Sequence, residues 1–423
     1  MPYYTIVVGQ DRLNGENVGS SYSEYLINEL LRKKYAYDAV VCTDWSITND
    51  EGPLDSMFSG KCWGVETLTQ EERCYKIIMA GVDQFGGLNE KAPVLAAYEM
   101  GVREHGEAFM RARFEASATR LLRNIFRTGL FENPYLNADE TEKTVGKPAY
   151  MQAGFDAQVQ SIVLLKNAKN ALPMAPMKKV YVPKQYLPKF TDFMGMPHEE
   201  GWQSPIPAEL LQKYFMPTEN PEEADFALCC IRRPDISGAL LGGYSREDLA
   251  NGGNGYVPIS LQYRPYTAEY ARAQSLAGGD PQEAFTNRSY KGKTVHVNNE
   301  CDLDMVLETR QKMGNKPVIV CVETDRPMVV AEFEGAADAI LMMFGQQPQA
   351  LLELIAGKAE PSALLPLQLP ADMRTIEEQM EDVPFDMECY VDADGHRYDF
   401  GFGLNWGGVI CDARTAKYAH QKP

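Results

Sequence analysis

The residues best suited to chemistry stand in Asp38-Ala39-Val40-Val41-Cys42-Thr43-Asp44-Trp45. A short apolar run of β-forming residues delivers a carboxylate and then an indole. A buried parallel strand reads as such a continuous Val-rich run. In α/β folds the residues just past the carboxyl end of the strand line the ligand site. A carboxylate there can attack or stabilise an anomeric carbon, and a flat indole suits the apolar face of a sugar ring. An Asp after a strand is equally the N-cap of a following helix, so the motif alone leaves both readings open.

Other patterns carry less chemistry. Asp392-Ala393-Asp394-Gly395 has the opening of a calcium loop, but no Glu follows at the required position, so a tight turn is predicted. Gly252-Gly253-Asn254-Gly255 lacks the Gly-Lys-Ser/Thr of a phosphate loop. The five histidines form neither a metal-ligand spacing nor a nucleophile triad. Nine cysteines show no CxxC pair, and Cys229-Cys230 adjoin within a strand-like run, where thiols act as small buried hydrophobes. Neither metal nor cofactor is expected.

The elements that must position Asp44 follow from periodicity. Ser20 to Lys34 places Tyr22, Tyr25, Leu26, Leu30 and Leu31 at helical spacing, a helix leading into the Asp44 strand. Trp45 to Glu72, which includes Trp63, reads as a long loop. Val94 to Phe126 reads as helix, in one piece or two, stopped at Gly129. Three β-type runs are expected before residue 132: Tyr3 to Val8, Asp38 to Cys42, and Ile77 to Val82. From Ser161, strands Lys179–Val182, Asp225–Ile231, Lys293–Val297, Pro317–Val322 and Ala339–Phe344 alternate with helices Pro207–Lys213, Asp302–Lys312 and Gln349–Ile355. That alternation predicts a parallel-containing α/β sandwich.

Composition bounds the partners. A net charge of −18 over 423 residues argues against nucleic acid and anionic membranes. No run is long and apolar enough to span a bilayer. The N-terminus carries no basic segment with an apolar core, so this chain shows no signal peptide and its localisation stays open.

The ordered set of motifs resembles glycoside hydrolase family 3, the β-glucosidase and β-xylosidase family. Asp38 to Trp45 resembles the strand bearing its catalytic nucleophile, and Ala80-Gly81-Val82-Asp83 its next barrel strand. Arg120 to Tyr135 resembles the helix and exit turn that close the barrel. Ser161 to Asn167 with Leu172-Pro173 resembles the start of the second domain. Gly357 to Ser362, Leu365-Pro366 and Tyr398 to Leu404 resemble its closing segments.

The resemblance implies α/β architecture: a partial (β/α)8-type barrel over residues 1–132, a connection over 133–160, an α/β sandwich over 161–405 and a tail over 406–423. About 150 residues precede the second-domain motifs, where a whole barrel takes about 250. The earlier strands, with the family's sugar-binding Asp, Arg and Lys-His segments, are absent. A partial barrel leaves sheet edges unpaired. A fragment, a chain completed by a second chain carrying the N-terminal barrel, and a self-completing homo-oligomer are all consistent with that.

The same resemblance implies retaining exo-hydrolysis of terminal β-linked sugars, glucose first and xylose second, with Asp44 as nucleophile and Trp45 bordering the sugar. Tyr4 matches a tyrosine beside the nucleophile. The acid/base of many relatives comes from a second-domain loop, here the Gly-rich stretch Pro234 to Tyr263; Glu247 is the candidate, with Asp248 and Glu300 as alternates. Tyr256 could shape the aglycone side. Asp83 reads as a helix cap. A catalytically incompetent fragment and phosphorolysis in place of hydrolysis are the competing readings.

Overall fold

The computed structural model describes residues 16–50, 60–191, 196–235, 248, 250–271, 289–380 and 383–419. Tyr4, the strand expected from Tyr3 to Val8, and Glu247 lie outside the described residues. The described chain falls into two compact units, one up to Glu142 and the other from Lys143.

In the first unit, strands β1 (Cys42–Trp45) and β2 (Gln84–Gly86) pair in parallel, joined through helix α1 (Gln70–Ala80). β1 starts later than its apolar run predicts, so Asp44 and Trp45 are its last two residues. The reason is local. Val41 donates its N–H to the Asp83 carboxylate at 3.0 Å, and the Asp38 side chain is taken by Arg120 and Arg123.

The strand expected over Ile77–Val82 is corrected to helix followed by strand. Thr69 and Glu72 form a reciprocal capping box that starts α1, and Gly81, at φ 103° in the left-handed region, ends it. Cys74, Ile77 and Ile78 thereby share the buried face of a helix. The helix expected from Ser20 is a 3-10 turn, Ser20–Tyr22, and then a π-type helix, Tyr25–Lys34. The long helical stretch after it is two helices, α2 (Ala92–His105) and α3 (Glu107–Arg127), broken at Gly106 with φ 87° and ψ 156°.

The second unit is built on one eight-stranded sheet. Its strands are β3 (Val163–Asn167), β4 (Lys179–Tyr181), β5 (Met216–Thr218), β6 (Phe226–Arg232), β7 (Val318–Glu323), β8 (Ala339–Met343), β9 (Leu404–Asn405) and β10 (Gly408–Val409). Their spatial order is β10-β9-β3-β8-β7-β6-β4-β5. β5, β4, β6, β7 and β8 run parallel, whereas β3 lies antiparallel between β8 and β9. The run at Lys293–Val297 does not join this sheet: Thr294–Val295 pairs antiparallel with Tyr266–Thr267.

Strand alternation makes two cores. Val318, Val320, Val322, Ile340 and Met342 pack on one face; Ile319, Cys321, Ala339, Leu341 and Met343 pack on the other. Burying each large aliphatic side chain is worth roughly 1.5–3 kcal/mol. Helix α5 (Glu300–Met313) puts Leu303, Val306 and Met313 into the first core, and α6 (Pro348–Ile355) puts Leu351, Leu352 and Ile355 into the second. Helix α4 (Pro148–Ser161) is tied to the start of α6, its Gln158 accepting the Gln347 N–H at 2.8 Å. No helix of the described residues is long and apolar enough to cross a membrane.

Candidate functional site

Asp44 stands half-buried at the carboxyl end of β1, beside the largely exposed indole of Trp45. Its Oδ1 accepts the Trp45 N–H at 2.8 Å, which turns the carboxylate back over its own strand end. Thr43, fully buried, donates its hydroxyl to the Asp44 carbonyl at 2.8 Å and accepts the Gly86 N–H at 2.8 Å. One side chain thus fixes the backbone that carries the carboxylate and clamps β2 to it. A Cβ at Gly86 would come within 2.5 Å of the Thr43 carbonyl oxygen, so only glycine allows this approach. The next residue, Gly87, has φ +70° and leaves room for the Trp45 ring. Ser46 follows at φ 61°, an uncommon conformation for a non-glycine residue.

The loop after β1 is held from below by Arg73 of α1, which is 1% exposed. Its guanidinium donates to the carbonyls of Val65 at 3.1 Å, Thr48 at 3.2 Å and Glu66 at 2.8 Å, and to the Asp50 carboxylate at 2.8 Å. The phenol of Tyr22 donates to the Ile47 carbonyl. The described ends of the loop after Asp44 are thus tied to α1 through the donors of one buried arginine fork.

Asp83 is neither a helix cap nor a partner of Asp44. It lies at the opposite, amino-terminal edge of the β1–β2 pair, its side chain fully buried. Its carboxylate accepts the Val41 N–H, the Ser117 hydroxyl at 2.7 Å, Arg120 at 2.8 Å and Arg32 at 2.5 Å, with Arg113 at 3.8 Å. Burial pushes this carboxyl up, but the Val41 N–H, Ser117, Arg120 and the Arg32 charge outweigh it and hold it below the usual carboxylate range. The cluster locks α3 and the Tyr25–Lys34 helix onto the strand pair. Sequence reading missed it, although Arg113, Ser117 and Arg120 stand four and three residues apart, one stripe of a helix.

In the second unit, Tyr256 is half-buried in the turn that follows Gly252. Asp248 organises that turn: its Oδ2 accepts the Gly255 N–H at 2.9 Å and the Lys293 ammonium at 2.6 Å. Lys293 also donates to the Tyr256 carbonyl at 2.6 Å. Glu300 begins α5 and pairs with Arg264 at 2.5 Å. Asp44 and Trp45 thus adjoin in one unit, while Tyr256, Asp248 and Glu300 belong to the other.

Among the described residues, Asp392, Asp394 and His396 place one potential metal-ligand atom each within 4.8 Å of one another. The turn itself accounts for them. Asp392 accepts the N–H groups of Asp394 and His396, and its other oxygen faces the His396 ring and the Tyr398 hydroxyl.

Comparison with known proteins adds a common denominator. Residues 162–406 match the glycosyl hydrolase family 3 C-terminal domain. A probable beta-glucosidase C of Aspergillus oryzae is 28% identical over 419 residues, covering 99% of this chain and 53% of the relative. A periplasmic beta-glucosidase/beta-xylosidase of Dickeya chrysanthemi is 28% identical over 402 residues, covering 92% and 49%. The crystal structure of a beta-glucosidase from Listeria innocua in complex with isofagomine superimposes with a TM-score of 0.54 at 17% identity, over 92% of this chain and 50% of that one. The chain spans about half the length of the curated relatives it matches.

Proposed function

The chain belongs to glycosyl hydrolase family 3, and from that premise we propose that it is the C-terminal part of a retaining, exo-acting β-glucosidase with Asp44 as nucleophile. The observation that carries this reading is the half-buried carboxylate of Asp44, fixed at a parallel strand's carboxyl end beside an exposed indole. Asp44 forms a bond to the anomeric carbon as the bond to the leaving oxygen breaks, and Glu247 gives that oxygen its proton. Water, deprotonated by Glu247, then displaces Asp44, so that two inversions retain the β configuration. Trp45 borders the sugar ring, with Tyr4 beside the nucleophile and Tyr256 on the aglycone side. Xylose is the alternative terminal sugar.

Residues 1–132 are the later strands and helices of a (β/α)8-type barrel in this reading. The parallel β1–α1–β2 unit, with Asp44 at its carboxyl end, supports it. A second reading has its own observation. Among the described residues β1 and β2 pair only with each other, and Leu122, Ile125, Phe126 and Phe131 are exposed on and after α3. Such edges and apolar surface fit a chain that needs the rest of a barrel from a partner polypeptide or a second copy.

Nitrophenol release from aryl β-glucoside and β-xyloside, with Asp44→Asn in parallel and mass measured by light scattering, tests both. Turnover by the wild type that Asp44→Asn abolishes without unfolding supports the first reading. Equal turnover by Asp44→Asn removes Asp44 as nucleophile. A folded but inactive wild type that gains activity with an added barrel chain supports the second.

A further inference from the structure

The carboxyl ends of β6, β7 and β8 open into a cleft of about 220 Å³ that no part of the proposed reaction uses. Strand register puts two rows of side chains on its floor. Cys230 lies beside Cys321 in the lower row; Arg232, Glu323 and Met343 lie side by side in the upper. Neighbouring strands are ~4.8 Å apart, so Arg232 and Glu323 are adjacent opposite charges. Yet among the described residues no ion pair joins their side chains. The Nε and Nη2 of Arg232 are buried without a hydrogen-bond partner.

The backbone beneath Arg232 is rigid. Its N–H goes to Asp302 at 3.0 Å, and its carbonyl accepts the Tyr263 hydroxyl at 2.6 Å. Two buried guanidinium nitrogens left unsatisfied above that fixed backbone are costly unless a ligand supplies acceptors.

The chemistry of such a ligand follows. Arg232 offers donors only, and Glu323 offers acceptors when ionised. An anion on Arg232 would face the neighbouring carboxylate. Two hydroxyls on adjacent carbons satisfy both, one oxygen accepting from Arg232 and the other hydroxyl donating to Glu323. Ile206, Met343 and Leu351 supply apolar wall for ring C–H groups. The cleft is smaller than the ~300–1,000 Å³ of drug-sized sites, which suits a single ring. We propose that this cleft is a non-catalytic site for one neutral pyranose, held by Arg232 and Glu323 through adjacent ring hydroxyls.

Only the choice of glucose as probe rests on the proposed reaction; the site is independent of Asp44. Cys230, half-buried in the cleft, is the reporter. In the full chain, glucose slows maleimide alkylation of Cys230 several-fold, read by peptide mass spectrometry, while exposed Cys411 reacts at an unchanged rate. Arg232→Met and Glu323→Leu abolish the protection; Asp44→Asn keeps it. Where Cys230 alkylates too slowly, amide exchange over residues 345–351 with and without glucose reads the same protection. Absence of any glucose effect, or equal protection in both cleft variants, overturns the proposal. Protection by inorganic phosphate but not by glucose overturns it in favour of an anion site. Because no turnover is read, failure of the nucleophile assignment leaves this result standing.

Discussion

Thr43 accepts the Gly86 N–H through its hydroxyl at 2.8 Å, across the two strands that end at the candidate nucleophile. The same hydroxyl donates to the Asp44 carbonyl. A buried residue with no reach to substrate therefore sets where the carboxylate stands.

Thr43→Val keeps the shape and removes the hydroxyl, leaving a buried N–H without its partner. Stability falls by about 1–3 kcal/mol, the cost of such an orphan. Urea unfolding of the full chain measures it. Thr43→Ser, which restores the acceptor, recovers most of the loss; if Ser and Val variants unfold alike, the hydrogen bond is not what stabilises the strand pair.

Asp83→Ala leaves Arg32, Arg113 and Arg120 around an empty site. Breaking a buried pair by removing one partner costs about 3–5 kcal/mol, and the helices of the first unit lose amide-exchange protection. The pH dependence has a definite sign. Asp83 titrates below its unfolded value in the folded chain, so its stabilisation is fully present above about pH 4 and is lost as pH falls through the folded value. Acid unfolding of the first unit shows this loss in the wild type, and Asp83→Asn removes that part of the slope.

Gly87→Ala places a Cβ 2.3 Å from Cδ1 of Trp45 at a φ of +70°. The left-handed backbone alone costs about 1–2 kcal/mol, and the indole must move. Tryptophan emission shifts, and under the proposed β-glucosidase reading KM for an aryl β-glucoside rises more than kcat falls. An unchanged KM would separate Trp45 from sugar binding.

How far the sequence discloses this molecule depends on whether a residue's partner is near in the chain. Glu300–Met313 and Pro348–Ile355 are legible from periodicity, as are the buried runs Val318–Glu323 and Ala339–Met343. Ile77–Val82 misleads because a short apolar run has no period of its own; the capping box at Thr69 and the glycine at 81 decide for helix. The run Lys293–Val297 is β-like, but Lys293 is drawn to Asp248 and its strand to Tyr266–Thr267. At the site, Asp44-Trp45 is visible as a motif. The hydroxyl of Thr43 and the arginines around Asp83 act across tens of residues; the Arg113, Ser117 and Arg120 stripe is visible in the sequence, but nothing local names Asp83 as what it meets. Arg232 and Glu323 look like ordinary strand-end charges until register sets them side by side.

The placement of β3 constrains how the second unit can be made. β3 is its first strand in the chain, yet it is flanked by β8 and β9, which come far later. During synthesis Val163, Leu164 and Leu165 emerge before either native neighbour of their strand, whereas β4 to β7 can pair among themselves in the order β7-β6-β4-β5. Closure of such distant pairs is slow, and an unpaired apolar strand is a template for association with other chains. Until β8 and β9 have been made, the nascent chain therefore carries an apolar strand at residues 163–167 with neither of its native neighbours.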